Sequence, residues 1–344
     1  MFEKNMSIEY SLMLIMSIGK KSFTQLSKVI KKSRDTVRRM LQSDKKNLTL
    51  LMLIARQFFR NSKIIYLSID DTLLRKIYSM FMEGSCEFFD TKMGRKIKAY
   101  KLLIAGLTDG KYFIPIHSAF LYSKEVLANA LELKEELLHA IILDTIKTFP
   151  DKTIIVTMDG AFATKKFLQW AHDNNIKVEL RMHSNRTILY QEKKQKISEI
   201  SDLRPKGRHM ARTIKAEWNN IPVYITADRR IDKHGEESIV YLVSTYKAKP
   251  SQHVKNYKCR WPIEKLIRTC KQHLGLQDCF STKIEIQLNH VSSVLLSYAI
   301  VQVEMKKSRY HTPEDAIRRL KDLSFDILKQ RILASDQIFM DIYA

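Results

Sequence analysis

The chain has 344 residues, of which 45% are hydrophobic and 28% charged, and this balance excludes an intrinsically disordered protein. Lysine and arginine number 59 against 37 aspartates and glutamates, so the net charge of +22 favours a polyanionic partner. Charges in the first twenty residues and the lack of a long apolar run exclude a signal peptide and a membrane span, and we expect a cytoplasmic protein.

Residues 1–60 are predicted to be helical, because apolar residues recur at helical spacing and no proline interrupts them. Within them, 18–42 is predicted to form two short helices, with Ser33 as the N-cap of the second. Its outer face carries three arginines, Arg34, Arg38 and Arg39. A basic second helix favours a DNA-binding helix-turn-helix, and the alternative is a helical pair with a solvated basic face.

Next comes a β-rich region. The apolar run at 63–70 predicts a central strand that ends at Asp70, with Asp71 directly after it. The sequence then predicts a strand at 98–107, a two-residue turn at 109–110 and a second strand at 112–119. A helix is predicted to follow at about 123–147.

A second apolar run, at 152–159, ends in Asp159 and Gly160 and precedes a helix and a strand at 177–181. Residues 183–250 contain short β-rich runs with many basic residues between them. From 251 the chain is again predicted to be mostly helical, and 291–303 is expected to form a buried helix that is too short to span a membrane.

Two strands that each end in an aspartate suggest a site, because ligands bind where the strands of an α/β sheet end. The alternative is that these aspartates only form turns. Transfer of a phosphodiester needs charge neutralised on the attacking and leaving oxygens, which two Mg²⁺ ions held by carboxylates can provide. The absence of nearby His or Cys fits Mg²⁺ or Mn²⁺ better than Zn²⁺.

The third acid, Glu264, is predicted on a helix whose first turn contains Pro262. Glu264 and Lys271 are two turns apart and therefore share a face. Tyr257 and Arg260 would lie on the same arc if the helix were continuous, but a break at Pro262 would remove that alignment. The alternative is a charged surface helix.

The pattern Tyr257-x2-Arg260-x3-Glu264-x6-Lys271 resembles the Y-x2-R-x3-E-x6-K signature of DDE transposases from bacterial insertion sequences. The order of strand acid, strand acid, β-rich insertion and helix acid is also similar over roughly residues 60–300. The resemblance implies that Asp70, Asp159 and Glu264 are the catalytic, metal-binding acids. The family's D-x-T pattern favours Asp70 as the first acid, with Asp71 as the alternative.

The resemblance implies an α/β fold of the RNase H-like type, a mixed five-stranded sheet flanked by helices, with a β-rich insertion and helical ends. Five regions are predicted. Residues 1–60 form a DNA-binding region, 61–182 the first part of the catalytic core and 183–250 the insertion. Residues 251–305 form the second part of the core, and 306–344 a C-terminal region.

The chemistry implied by the resemblance is cleavage at transposon ends and transfer of the freed 3′-OH into target DNA. Both partners are double-stranded DNA, so the protein is expected to associate with the nucleoid, and holding two ends would require a homodimer. Tyr257, Arg260 and Lys271 are implied to contact phosphates, which gives affinity and register. Trp218 is implied to stack on a flipped base.

Two other functions fit parts of the pattern. An RNase H-like nuclease without strand transfer would share the acids and the metals, but would not need Tyr257, Arg260 and Lys271 in this register. A non-catalytic DNA-binding protein would depend on residues 18–42 and on the positive charge alone.

The charge generates the first prediction. DNA affinity should fall steeply as salt rises, because lysines and arginines that neutralise phosphates release condensed counterions. Fluorescence anisotropy of a labelled duplex over a salt series measures the slope of log affinity against log salt. A flat response would contradict the electrostatic argument.

Overall fold

The central sheet places the two strands that lead into Asp70 and Asp159 side by side. The computed structural model describes residues 2–42, 47–79, 81–207 and 210–334. The strands are β1 (Ile64–Arg75), β2 (Cys86–Asp90), β3 (Arg95–Thr108), β4 (Phe113–Leu121), β5 (Thr153–Met158), β6 (Lys177–Met182), β7 (Thr187–Tyr190), β8 (Lys193–Lys196), β9 (Ala211–Trp218), β10 (Ile221–Ile231) and β11 (Glu237–Ser244). The helices are α1 (Phe2–Met16), α2 (Phe23–Val29), α3 (Arg34–Arg39), α4 (Asn47–Phe58), α5 (Ala130–Thr148), α6 (Lys165–Asp173), α7 (Pro250–Lys258), α8 (Trp261–Gln272), α9 (Ile284–Ser308), α10 (Pro313–Lys321) and α11 (Phe325–Ala334).

Five strands form the core of this sheet in the order β4, β3, β1, β5, β6. β1 is antiparallel to β3 and parallel to β5, and β5 is parallel to β6. Helices flank the sheet, so the predicted RNase H-like mixed sheet is confirmed. The short β2 adds an extra strand beside the first part of β3.

The first strand is longer than predicted. The sequence suggested that it ends at Asp70, but β1 continues to Arg75 because β3 pairs with it along this whole length. Its buried part ends at Ile69, and the following four residues are half-buried. The aspartates therefore lie where the strand leaves the core, while its backbone pairing continues.

The β-rich segment after β6 extends the central sheet. β11 returns antiparallel to β6, with Tyr241 opposite Met182, and the strands β10, β9, β7 and β8 follow outward to give an eleven-stranded sheet. Hydrogen bonds therefore connect the insertion directly to the strands of the core. The exact boundaries of the five regions stay a prediction.

Two local predictions were wrong in detail. β3 and β4 are joined by a four-residue loop at 109–112, because the Asp109 carboxylate accepts hydrogen bonds from the N–H groups of Lys111 and Tyr112. The helix predicted from about 123 begins at Ala130. The residues before it form a turn instead, in which the N–H groups of Val126 and Leu127 donate to the carbonyl of Ser123.

The helix α9 forms the centre of the helical layer, between α1 and the β4 side of the sheet. It is long and apolar enough to cross a membrane, but 78% of its apolar window is buried inside the protein. The hydroxyl of Ser297 donates to the carbonyl of Ser11, and the Asn47 amide donates to Ser293, so its polar residues are paired with other helices. The predicted buried helix is therefore confirmed, but the prediction that it is too short to span a membrane was wrong, because the helix extends beyond 291–303 to 25 residues.

The N-terminal helical pair also agrees with its prediction. Ser33 caps α3 by accepting a hydrogen bond from the N–H of Thr36 at 3.2 Å. Val37 is fully buried, whereas Arg34, Arg38 and Arg39 are exposed. The C-terminal region is helical as far as Ala334, and the rest of that prediction lies outside the described residues.

The helix that follows Asp159 begins with a cap that can be tested. The Thr164 hydroxyl accepts a hydrogen bond from the N–H of Phe167 at 3.1 Å and so starts α6. Thr164→Ala should lower the free energy of unfolding by about 1 kcal/mol, because it removes this acceptor. Thr164→Ser keeps the hydroxyl and is the control in denaturant titrations. Equal losses in both variants would show that the cap does not contribute.

Candidate active site

The three predicted acids lie around one end of the parallel pair β1–β5. The last paired residues of this ladder are Ile69 and Met158, and Asp70 and Asp159 follow them directly. Glu264 lies in the first turn of α8, which packs against β1. The fold therefore places Asp70 and Glu264, which are almost two hundred residues apart in the sequence, near the same end of this strand pair as Asp159.

Arg260 lies between two of these acids. Its Nη1 is 3.2 Å from Oδ2 of Asp70, and its Nη2 contacts Oε1 of Glu264. The guanidinium is also 5.7 Å from the centre of the Tyr257 ring. Only 7% of Arg260 is exposed, so this cation is a buried counter-charge for the acids.

This counter-charge does not bring the pKa of Asp70 down to its ordinary value. Burial raises the pKa of the Asp70 carboxyl to about 6, although Arg260 and the N–H of Asp71 act in the opposite direction. Burial lowers the pKa of Arg260, but Tyr257, Glu264 and Asp70 outweigh it and hold this pKa above its ordinary value. The effect of burial on Asp70 thus outweighs its pairing with Arg260.

Asp71 faces away from this group. Its Oδ2 is 3.3 Å from Nζ of Lys101 and 3.8 Å from Nζ of Lys134, while Asp70 faces Arg260. This separation follows from the alternation of side chains along a strand. The two neighbouring aspartates therefore have different partners.

The helix that carries Glu264 is separate from the helix that carries Tyr257. α7 ends at Lys258 and α8 begins at Trp261, with Pro262 in its first turn. The break turns Arg260 towards the acids. Tyr257 is only 4% exposed, and burial raises the pKa of its phenol.

Lys271 lies on the same side as the acids, farther along α8. Its Nζ donates to Oγ1 of Thr72 at 2.7 Å and to the carbonyl of Leu73 at 3.0 Å. Burial lowers the pKa of this amine to about 8, and Arg75 and Lys92 add to the effect. These bonds join α8 to the part of β1 that follows Asp70.

An open cavity of about 940 Å³ lies over this group. Its lining includes Asp70, Glu264 and Lys271 on one side and Lys101 on the other. This volume and lining would admit a section of DNA backbone next to the acids.

Trp218 lies at the end of β9 and is 5% exposed. The guanidinium of Arg186 is 5.7 Å from its ring centre. Both residues line a second cavity of about 870 Å³, together with His183 and Lys165. Stacking of Trp218 on a base stays a prediction, and the base would have to enter this cavity.

A buried polar network that the sequence reading missed holds α7 against the sheet. His253 Nδ1 is 2.8 Å from Oε2 of Glu179, and the hydroxyl of Tyr246 donates to the same oxygen at 3.0 Å. Asn256 donates to Tyr246 at 2.7 Å, and burial raises the pKa of Glu179. The sequence contains one signal of this network: Glu179 is an acid between two apolar residues of a strand, Val178 and Leu180, which are both buried.

The donor set fits a divalent cation. Carboxylate oxygens are the ligands that hard cations such as Mg²⁺ prefer. Across residues 2–42, 47–79, 81–207 and 210–334, no three His, Cys, Asp or Glu side chains already form a metal-binding group. A cation shared by Asp70 and Glu264 would replace Arg260 as their counter-charge.

Comparison with models of protein families identifies the family of this chain. A family model described as a transposase DDE domain matches residues 90–300, which is more than half of the chain. The matched region includes Asp159, Glu264 and the other three residues of the Tyr257 pattern, whereas Asp70 precedes it. A search of curated proteins found no match.

The position of Arg260 generates a prediction about stability. Without divalent metal, Arg260→Gln should lower the free energy of unfolding by about 1–3 kcal/mol, because it leaves the carboxylates of Asp70 and Glu264 without their partner. Added Mg²⁺ should restore part of this loss. Thermal unfolding with EDTA and with Mg²⁺ measures both effects.

The matched control is Arg318→Gln, which removes an exposed arginine paired with Asp315. Its effect should stay within about 0.5 kcal/mol in either buffer. Equal effects of the two substitutions would contradict a counter-charge role for Arg260.

Proposed function

Because the chain belongs to the transposase DDE domain family, we propose that it cleaves DNA at transposon ends and joins them to target DNA, with Asp70, Asp159 and Glu264 as metal-binding acids. Family membership supports a transposase function and implies DNA substrates, and the family generally uses divalent metal ions. The individual reactions and the residue roles are the proposal.

One observation carries this proposal. Asp70 and Asp159 follow the last pair of a buried parallel ladder, and Glu264 shares Arg260 with Asp70. Asp70 and Glu264 line one open cavity, and Asp159 follows the strand next to Asp70, which is an arrangement suited to phosphoryl transfer. Asp70 is preferred to Asp71 as the first acid, because Asp71 is engaged by two lysines on the other side.

The acids would hold two Mg²⁺ or Mn²⁺ ions, which neutralise charge on the attacking and leaving oxygens of a phosphodiester. The protein itself positions the acids. The residues before and after Asp70 in β1 pair with β3, and this pairing fixes the position of Asp70. The N–H of Gly160 donates to Oδ1 of Asp159 at 2.7 Å. Glu264 is more open to solvent than Asp70, since 38% of its side chain is exposed against 21% for Asp70.

The signature residues would bind the DNA backbone near the cleavage position. Arg260 would exchange Asp70 and Glu264 for a phosphate, and Tyr257 lies beside it. Lys271 lines the cavity on the same side. Such contacts would set the register of the DNA end relative to the acids.

Other parts of the chain would bind DNA farther from the acids. The exposed arginines of α3 suit a contact with the transposon end. Trp218 would stack on a flipped base in the second cavity. Holding two transposon ends at once would require two copies of the chain, so we propose a homodimer in the DNA complex.

The acids are tested by substitution of Glu264. Glu264→Gln should reduce DNA cleavage at least a thousandfold, on the order of the loss of a main catalytic group, while DNA affinity changes little. Asp159→Asn should behave in the same way. Binding and cleavage are measured on duplexes taken from the DNA that flanks the reading frame.

Glu285→Gln is the matched control, since Glu285 is an exposed glutamate in the first turn of α9. It should leave cleavage unchanged. Cleavage that survives Glu264→Gln would refute the assignment of the acids. Nicked products without joined target DNA would point to a nuclease instead of a transposase that transfers strands.

A further inference from the structure

Two lysines surround a single carboxylate on the face of β1 opposite the face where Asp70 meets Arg260. Asp71 Oδ2 lies within 4 Å of Nζ of both Lys101 and Lys134, and all three side chains are at least two-thirds buried. One carboxylate balances one ammonium group, so this cluster carries one surplus positive charge. Partly buried surplus charge is costly unless a partner compensates it.

The two lysines have different surroundings. Lys134 is the more buried, and its ammonium lies 4.1 Å from the ring centre of Phe162, in the turn that follows Asp159. Lys101 is the more exposed and lines the same cavity as Asp70 and Glu264. Lys134 therefore serves as the inner partner of Asp71, and the surplus charge of Lys101 faces the cavity.

We propose that Lys101 binds a phosphate of the DNA strand that lies in this cavity, and that Asp71 and Lys134 are its positioning residues. This proposal rests on the proposed function, because it assumes that DNA enters next to the acids. The strand would then be held on one side by Lys101 and on the other by Arg260 and Lys271.

The cations that line the cavity also include Lys92 and Arg268, which are exposed, and Lys101 differs from them because Asp71 holds its ammonium group in place. Lys271 is bonded to Thr72 and Leu73, and Arg75 is bonded to Asp90 at 2.6 Å. Lys101 makes a single ion pair with a carboxylate that also has Lys134, so a phosphate can compete for it. The pairing with Asp71 holds the ammonium in place beforehand, which reduces the entropy lost when DNA binds.

The geometry also explains the pair of adjacent aspartates. Asp70 faces the acids and Arg260, whereas Asp71 faces the lysines, so each has a separate task in the same cavity. The first would bind metal and the second would orient a cation towards DNA.

The test uses the full-length protein and duplexes from the DNA that flanks its reading frame. Each phosphate in turn is replaced by an uncharged methylphosphonate, and affinity is measured by anisotropy without divalent metal. In the wild-type protein, neutralising the phosphate bound by Lys101 should weaken binding about fivefold to tenfold. In Lys101→Gln, neutralising that same phosphate should no longer change the affinity for the duplex. The slope of log affinity against log salt should decrease in magnitude by about 0.9.

Two variants serve as controls. Lys101→Arg keeps the charge and should keep the sensitivity to that phosphate. Lys147→Gln removes an exposed lysine from α5, the helix that carries Lys134, and should leave the sensitivity unchanged. Asp71→Ala should weaken the sensitivity, because Lys101 loses its orientation, and unchanged sensitivity would refute a positioning role for Asp71.

A Lys101→Gln protein that keeps every phosphate sensitivity of the wild type would overturn the proposal. The readout is binding, so it is independent of catalysis. If the wild-type protein binds the duplex but never cleaves it with Mg²⁺ or Mn²⁺, the proposed function fails while the assignment of Lys101 is still decided by the phosphate map.

Discussion

Carboxylates that gather at the edge of a buried sheet must be compensated by positive charge, and this constraint shapes the region around Asp70. Arg260 provides the first compensation, and the break between α7 and α8 brings its guanidinium to the acids. The neighbouring Asp71 has its own cations on the opposite face. Each of the two neighbouring aspartates is therefore paired with basic side chains of its own.

The helix before the break is held from the other side. Glu179 and His253 are both fully buried and bonded to each other, and Tyr246 and Asn256 extend the network. Buried polar networks of this kind restrict an element to one position, because any other position leaves their groups unpaired. The position of Tyr257 and of the turn to Arg260 therefore depends on strand β6, in the interior of the sheet.

Much of this architecture could be predicted from the sequence. Apolar runs located β1 and β5, Ser33 marked the start of α3, and the Tyr257 pattern identified the helix of Glu264. The extent of β1 could not be predicted, because it depends on pairing with β3. Lys101 and Lys134 look like surface lysines in the sequence, and only the fold shows that they share Asp71. The assignments of the catalytic and DNA-binding residues stay predictions.

The continuity of the sheet has a mechanical consequence. β11 is hydrogen-bonded to β6, and β6 to β5, which leads into Asp159. The strands after β6 therefore belong to the same hydrogen-bonded sheet as the strand that leads into Asp159. A displacement of β11 relative to Asp159 would have to strain or break the pairing of β11 with β6 or of β6 with β5.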